Sequence, residues 1–175
     1  MTKDIQARAD AAMMPLYPHK HVAMARGDGA YLYDMDGKKY LDCAGGIAVC
    51  ALGHNHPVFN HAVREQLDRG FTMVVGSIAT EPKVKAAELL TSHCCTDKIF
   101  FCNSGAEAVE GSLKLARTWA HQNKSEDCKE FIVFRNSFHG RTYGAVSATE
   151  NLYTNLNSRP IYKDFTSQIS MIWTP

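Results

Sequence analysis

A short apolar run that breaks into a helix constrains this chain more than any other feature. Residues 98–108 read KIFFCNSGAEA, in which a β-favouring run at 99–101 is followed by helical spacing. Ser104 suits the N-cap position and Glu107 lies three residues later, which is the capping-box pattern. The sequence therefore predicts a buried strand at 99–101 and a helix that begins after Ser104.

The start of this helix is a candidate anion site. A helix N-terminus offers unpaired N–H groups and a partial positive charge, and Gly105 and Ala106 are small enough for a phosphate to approach the backbone. The Ser104 hydroxyl adds a donor. An ordinary capped helix is the alternative, because capping boxes are common. Farther along the helix, Glu110 and Lys114 are spaced to form an ion pair on the outer face.

Size and charge exclude several classes of protein. The 175 residues suffice for one domain with a sizeable core, and 19 basic against 18 acidic residues leave a net charge of +1. This balance argues against nucleic acid or an acidic membrane as a partner. No apolar run approaches the roughly 20 residues that span a bilayer, and the N-terminus lacks a signal-peptide pattern. We therefore expect a cytoplasmic protein.

The cysteines and histidines do not predict a metal site. None of the six cysteines forms a C-x-x-C pair, and reduced thiols are the default for a chain with no secretory signal. Cys102 lies beside the candidate anion site, where a small buried packing residue is a simpler interpretation than a reactive thiol. His54 and His56 form an H-x-H pair with no third ligand nearby, so we predict no metal.

The order of predicted elements is typical of an α/β fold with a parallel sheet. Residues 1–26 resemble an N-terminal arm, and Asp36-Gly37 predicts a hairpin between residues 30–34 and 39–43. The glycines at 27 and 29 are not a dinucleotide-binding loop, because no strand is predicted before them and no helix after them. The remaining predictions are helices at 57–70 and 80–91 and strands at 130–134 and 169–173.

A second polar motif follows the strand predicted at 130–134. Residues 136–142 read NSFHGRT and lie at the carboxyl end of that strand, where open α/β sheets bind ligands. Singly, Phe138 suits a core, His139 a satisfied polar position and Arg141 a surface charge, while Gly140 permits close approach or an unusual φ. Beside an anion site, however, an aromatic ring and an arginine suit a phosphorylated aromatic cofactor and a carboxylate substrate.

These motifs together resemble a known family. The chain is similar to the class-III, pyridoxal-phosphate-dependent aminotransferases of fold type I, and most similar to the acetylornithine aminotransferase branch. The similarity covers nearly the whole chain in the family's order, through segments 36–42, 46–49, 52–57, 80–82, 100–108, 113–117 and 136–142. It implies an N-terminal arm and small-domain hairpin in residues 1–50. Residues 51–175 would be the first half of the large domain, with its mainly parallel sheet.

The resemblance also implies roles for individual residues. Ser104, Gly105 and Ala106 would hold the phosphate of pyridoxal 5'-phosphate, Phe138 would stack on its pyridine ring, and Arg141 would bind the α-carboxylate of the amino acid. The substrates would be an amino acid and a 2-oxo acid. Because relatives are dimers with active sites at the subunit interface, we expect a homodimer.

Two features depart from the family pattern. The lysine that binds the cofactor covalently, and the aspartate that protonates its ring, lie in the C-terminal part of the longer relatives, and no lysine here has the matching context. We therefore expect no catalytic residue in this chain and no transamination by these 175 residues alone. Many relatives also carry an aromatic residue near Ala79, so the substrate stays open.

The expected activity of the intact protein is transamination between an N-acylated diamino acid, such as acetylornithine, and 2-oxoglutarate, as in arginine biosynthesis. Another class-III activity, with 4-aminobutyrate or ornithine, is an alternative. A non-catalytic, truncated product that retains a phosphate-binding or dimerising surface is another alternative, and a generic phosphate-binding α/β domain is a third.

Overall fold

A computed structural model describes residues 2–15, 22–70, 76–134, 136–149 and the backbone of 165–166. The chain divides into two compact units, Met1–Ile78 and Ala79–Pro175. Among the helices within these ranges, none combines the length and the apolar character that a membrane crossing requires. The predicted domain boundary at residue 50 stays a prediction.

Within its described residues, the first unit contains three helical segments and an antiparallel sheet. In chain order they are α1 (Thr2–Ala12), β1 (Met24–Asp28), β2 (Tyr31–Asp34), β3 (Lys39–Leu41), α2 (Gly45–Ala48) and α3 (Pro57–Asp68). The strands pair in the order β1-β2-β3. The predicted helix at 57–70 is confirmed: it has proline in its first turn and ends before Gly70, whose φ is +76°.

The predicted hairpin is also confirmed, in the register Tyr31 to Leu41 and Tyr33 to Lys39. Its turn contains Gly37 at φ +84°, a conformation that favours glycine. The Asp34 carboxylate accepts hydrogen bonds from the Asp36 and Lys38 amides at 2.9 and 2.8 Å. A carboxylate that is close in the sequence thus satisfies two backbone amides of the turn.

The prediction that no strand precedes the glycines at 27 and 29 is wrong. β1 ends at Asp28 and pairs antiparallel with β2, with an irregularity between Met24 and Arg26. The arm prediction for residues 1–26 missed both β1 and α1. Propensity is weak in MARGD, and the ladder with β2 supplies the order instead.

The second unit contains α4 (Glu81–Ser92), α5 (Gly105–Asn123), β4 (Phe131–Ile132), α6 (Tyr143–Ser147) and β5 (Phe165–Thr166). The predicted helix at 80–91 is confirmed as α4, with Thr80 as its N-cap. β4 is shorter than the predicted 130–134, and it pairs with β5 in parallel. The strand predicted at 169–173 lies outside the described residues.

The strand predicted at 99–101 is not formed. Residues 98–102 have no regular structure, and the side chains of Phe100 and Phe101 are 71% and 41% exposed. A strand needs a hydrogen-bonding partner, and no described segment pairs with this one. Phe100 instead lies over α5, where its ring occupies the space beside Gly111 that a β-carbon would need.

Among the described residues of the second unit, the most buried side chains lie in and just after α6. Ala145, Ala148 and Thr149 are at most 3% exposed, while Ala120 of α5 and Val133, just after β4, are each 8% exposed. The burial of Ala145, Ala148 and Thr149 shows that α6 and the residues after it are packed against the rest of the unit.

Candidate functional site

The N-terminus of α5 is capped in the way the sequence predicts, with one difference. The Ser104 hydroxyl oxygen accepts a hydrogen bond from the Glu107 amide at 3.2 Å. The Glu107 carboxylate accepts from the Asn103 amide at 2.5 Å, one residue before the N-cap that the capping box would use. Glu107 therefore stabilises the turn and leaves the N-cap amide to other acceptors.

The amides at the start of α5 are available to a ligand. No described residue accepts a hydrogen bond from the amides of Gly105 or Ala106. A β-carbon built on Gly105 meets no atom within 4 Å, so the space beside this residue is open. Free donors, open space and the positive end of a 19-residue helix together favour an anion here.

The loop that contains Phe138 and Arg141 lies directly against this helix N-terminus. A β-carbon on Gly140 would come within 2.8 Å of the Ala106 β-carbon and 3.0 Å of the Ala145 β-carbon. Gly140 also has φ +133°, which favours glycine. The interpretation of Gly140 as a close-approach residue is confirmed, and it brings the two motifs predicted from the sequence together.

The two side chains predicted to contact cofactor and substrate are exposed and adjacent. The Phe138 side chain is 54% exposed. The Arg141 guanidinium carbon lies 5.8 Å from the centroid of the Phe138 ring, near the limit of a cation–π contact. The His139 amide donates a hydrogen bond to the Thr149 hydroxyl at 2.9 Å, and this bond fixes the backbone between Phe138 and Arg141.

Glu110 connects α5 to the N-terminus of α6. Its Oε1 accepts hydrogen bonds from the Thr142 hydroxyl at 2.6 Å, the Gly144 amide at 2.9 Å and the Ala145 amide at 3.3 Å. A β-carbon on Gly144 would come within 2.5 Å of Glu110 Oε2, so the carboxylate fills the space beside that residue. Thr142, the residue next to Arg141, is therefore held by the helix whose start is the candidate anion site.

The prediction of an outward ion pair between Glu110 and Lys114 is wrong. The Glu110 carboxylate is directed at α6, and Lys114 contributes only a weaker charge interaction. The Thr142 hydrogen bond is the largest influence on the pKa of Glu110 and lowers it; burial opposes this, and the Ala145 and Gly144 amides lower it further. The carboxylate is thus held ionised.

Cys102 differs from expectation, and His54 has a partner that was not predicted. Cys102 is exposed, so the interpretation as a buried packing residue is wrong, since no described element covers residues 98–103. The prediction that His54 and His56 bind no metal stays a prediction. His54 forms a hydrogen bond with a carboxylate. Its Nε2 lies 2.7 Å from Asp42 Oδ2. No group of three metal-ligating side chains occurs among the described residues.

Two sets of polar contacts were not predicted from the sequence, those of Glu110 with α6 and the Asp42–His54 pair. Thirty-two residues separate Glu110 from Thr142, and no spacing rule connects them. Asp42 and His54 are 12 residues apart, and only their flanking turns bring them together. Both residues lie near glycines in the sequence, but this feature is too common to predict that the two side chains form a hydrogen bond.

Comparison with known proteins identifies the family. The family model of class-III aminotransferases matches residues 13–170. Succinylornithine transaminase of Salmonella typhimurium is 44% identical over 139 residues, which are 79% of this chain and 34% of that protein. The same figures hold for succinylornithine transaminase of Citrobacter koseri. The chain thus spans about a third of the length of the curated relatives it matches.

Solved structures agree in fold. The ornithine aminotransferase of Toxoplasma gondii, described with pyridoxal phosphate partly occupying its active site, superposes with a TM-score of 0.87 and 27% identity. That alignment covers 96% of this chain and 40% of the Toxoplasma chain. An (S)-enantioselective omega-transaminase of Thermomicrobium roseum gives 0.84 at 25% identity, over 95% and 39% of the two chains. The chain belongs to the class-III aminotransferases, and the predicted fold class is confirmed.

Proposed function

We propose that the protein to which this chain belongs, as a class-III aminotransferase, transfers an amino group between an N-acylated ornithine and 2-oxoglutarate with pyridoxal 5'-phosphate. Two curated relatives, each 44% identical, are succinylornithine transaminases, and succinylornithine is an N-acylated diamino acid. An acylated substrate therefore has more support than free ornithine or 4-aminobutyrate.

The single observation that carries the proposal is the contact between Gly140 and Ala106. It sets an exposed aromatic ring and a guanidinium beside a helix N-terminus whose amides at 105 and 106 have no acceptor among the described residues. A phosphate, a flat ring and a carboxylate are the three chemical groups that this arrangement can bind.

The donors fit the cofactor phosphate. The amides of Gly105 and Ala106 would bind its oxygens, and the Ser104 hydroxyl, which uses its oxygen to accept from Glu107, keeps its proton to donate. The open space beside Gly105 leaves room for the phosphate. When bound, pyridoxal phosphate supplies the aldehyde and the electron-accepting ring that amino-group transfer needs.

The other two residues would orient the cofactor and the substrate. Phe138 would pack on one face of the cofactor ring and exclude water from it, an interaction worth about 1 kcal/mol beyond area burial. Arg141 would bind the amino-acid carboxylate through two parallel hydrogen bonds, which lysine cannot reproduce. These chain residues bind and orient, and the proposal assigns no proton-transfer step to them.

The decisive experiment compares Arg141→Lys and Ser104→Ala in the full-length protein. We expect Arg141→Lys to raise KM for N-succinylornithine at least about tenfold while leaving cofactor affinity unchanged, because only the carboxylate contact is weakened. Ser104→Ala should weaken cofactor affinity instead. Equal effects of both variants on both constants would contradict the separate roles.

Substrate profiling tests the finer assignment. A role in arginine biosynthesis requires that N-acetylornithine be turned over at least as well as N-succinylornithine, with free ornithine and 4-aminobutyrate much poorer. Efficient use of 4-aminobutyrate would favour the alternative class-III activity. The homodimer and the cytoplasmic location stay predictions, which sedimentation and cell fractionation would test.

The 175 residues alone should not transaminate, because the covalent-binding lysine has no counterpart in the segments that resemble the family. A turnover assay on this isolated segment, with cofactor added, measures the point. Robust activity would show that a lysine of this segment binds the cofactor covalently. It would contradict the expectation that the segment supplies only phosphate-binding and substrate-binding residues.

A further inference from the structure

Three side chains of the first unit form a nucleophile, base and orienting carboxylate. Cys50 Sγ lies 3.7 Å from His54 Nδ1, and His54 Nε2 lies 2.7 Å from Asp42 Oδ2. When Nε2 carries the ring proton and donates a hydrogen bond to the carboxylate, Nδ1 of the neutral ring presents its lone pair to the thiol. A thiol, a base within reach and a group that fixes the base are the parts of an activated cysteine.

The base is held in one orientation by its surroundings. The Asp42 carboxylate also accepts from the Ala44 and Gly45 amides at 3.0 and 2.9 Å, which fixes its position. The His54 hydrogen bond is the largest of the influences that lower the pKa of Asp42. On its other side, His54 leaves no room for a β-carbon on Gly27, and its backbone pairs with Gly29. The imidazole therefore cannot swing away from the thiol freely.

The thiol is half-buried but open to small molecules. A cavity of about 350 Å³ is lined by Cys50, His54 and Asp42 together with small residues of the neighbouring turns. A second cavity of about 360 Å³ is lined by Cys50 and His54 and by His56 and Phe59.

We propose that Cys50 is a modification site for small α,β-unsaturated carbonyl compounds, with His54 as its base. The thiol proton passes to His54 Nδ1 as the sulfur attacks the β-carbon, and the π electrons move onto the carbonyl oxygen. The proton on His54 then reaches the α-carbon, so one S–C and one C–H bond replace the S–H bond and the C=C π bond.

The other five cysteines are the internal references, because all are exposed while Cys50 is half-buried. None of them has a histidine contact among the described residues. Cys94 is a poor reference, since hydrogen bonds from the side chain and backbone of Thr96 lower its pKa, and Cys102 contacts the Ser104 carbonyl. Cys43, Cys95 and Cys128 remain as ordinary exposed thiols. Accessibility alone would make Cys50 slower than these three.

The test treats the full-length protein with acrylamide and follows each cysteine by peptide mass spectrometry. We expect Cys50 to react on the order of tenfold faster than Cys43, a modest part of what a positioned base can contribute. In urea the six rates should converge, so that unfolding slows Cys50. A Cys50 rate below that of Cys43, or one that rises on unfolding, would overturn the proposal without any variant.

Variants then identify the base. His54→Gln should bring the Cys50 rate down to that of an ordinary thiol and leave the Cys43 rate unchanged, with circular dichroism and a urea titration showing that the variant is folded. Asp42→Asn should give an intermediate Cys50 rate. An unchanged Cys50 rate in His54→Gln, with the chain folded, would refute the role of the base.

Discussion

Carboxylates satisfy backbone amides in both units, but over very different distances along the chain. In the hairpin, Asp34 accepts from the amides of Asp36 and Lys38, two and four residues away. At the junction between α5 and α6, Glu110 accepts from Thr142, Gly144 and Ala145, which are 32 to 35 residues away. The first contact shapes a turn, whereas the second holds the loop of Phe138 and Arg141.

The difference bears on stability. A sequence-local contact closes a short loop and costs little chain entropy, while a contact over more than thirty residues must be supported by the packing around it. That packing is the set of small residues between α5 and α6, where Gly140 lies against Ala106 and Ala145. We therefore expect the junction, rather than the hairpin, to be the more sensitive of the two regions.

The largest effect should come from Gly140→Ala. The new methyl group would lie within 3.0 Å of two β-carbons, at a φ of +133° that alanine disfavours. We expect a loss of about 2–4 kcal/mol of unfolding free energy. The matched control is Gly37→Ala, which has φ +84° and open space. Gly37→Ala should lose only about 1–2 kcal/mol of unfolding free energy, which is the conformational cost of the positive φ. Equal losses in urea titrations would show that the junction is not tightly packed.

Removal of the long-range acceptor should rank second. Glu110→Ala would leave the Gly144 and Ala145 amides and the Thr142 hydroxyl without this carboxylate. Because the group is partly exposed, we expect the free energy of unfolding to fall by about 1–2 kcal/mol. Native-state hydrogen exchange of the Gly144 amide measures it. Lys114→Ala is the control, because the ion pair first expected would be worth only about 0.5 kcal/mol. If both variants cost the same, the α6 contact contributes nothing.

Loss of the helix cap should have a smaller effect on stability. Ser104→Ala removes the acceptor of the Glu107 amide, and caps of this type contribute about 1 kcal/mol. Ser112→Ala, on the same helix, removes only a hydroxyl that donates to the Val109 carbonyl and should change stability by less than about 0.5 kcal/mol. Thermal melts of the two variants make the comparison. A destabilisation by Ser112→Ala that matched Ser104→Ala would contradict capping.

The smallest effect is the acid dependence of the junction. The pKa of Glu110 in the folded chain lies below its ordinary value of 4.5, chiefly through Thr142. Its stabilising contribution is therefore complete above about pH 5 and is lost as the pH falls through the folded pKa. Glu110→Gln should make exchange at the Gly144 amide less sensitive to acid.

The hairpin supplies the control for this acid effect. Burial raises the pKa of Asp34, but hydrogen bonds from the Lys38 amide, the Tyr40 hydroxyl and the Asp36 amide outweigh it, so the net shift is downward. Exchange at the Lys38 amide should keep its acid sensitivity in Glu110→Gln. If that sensitivity disappeared together with the one at Gly144, the two regions would not be independent.

Several elements could be predicted from the sequence because their causes are local. The Ser104 cap, the turn at Gly37 and the proline that begins α3 each depend on residues within a few positions. The failures share the opposite property. Residues 99–101 carry strand propensity but have no described partner, whereas β1 has weak propensity and a partner in β2.

The candidate site divides in the same way. The sequence by itself determined a capped helix with small residues at its start, and the identities of Phe138 and Arg141. Only the tertiary structure decided that Gly140 meets Ala106, that Glu110 turns toward α6, and that His54 stands between Cys50 and Asp42. The physical reason is that capping and turn energies are set by neighbours in sequence. Contacts over longer separations depend on which surfaces the packed elements bring together.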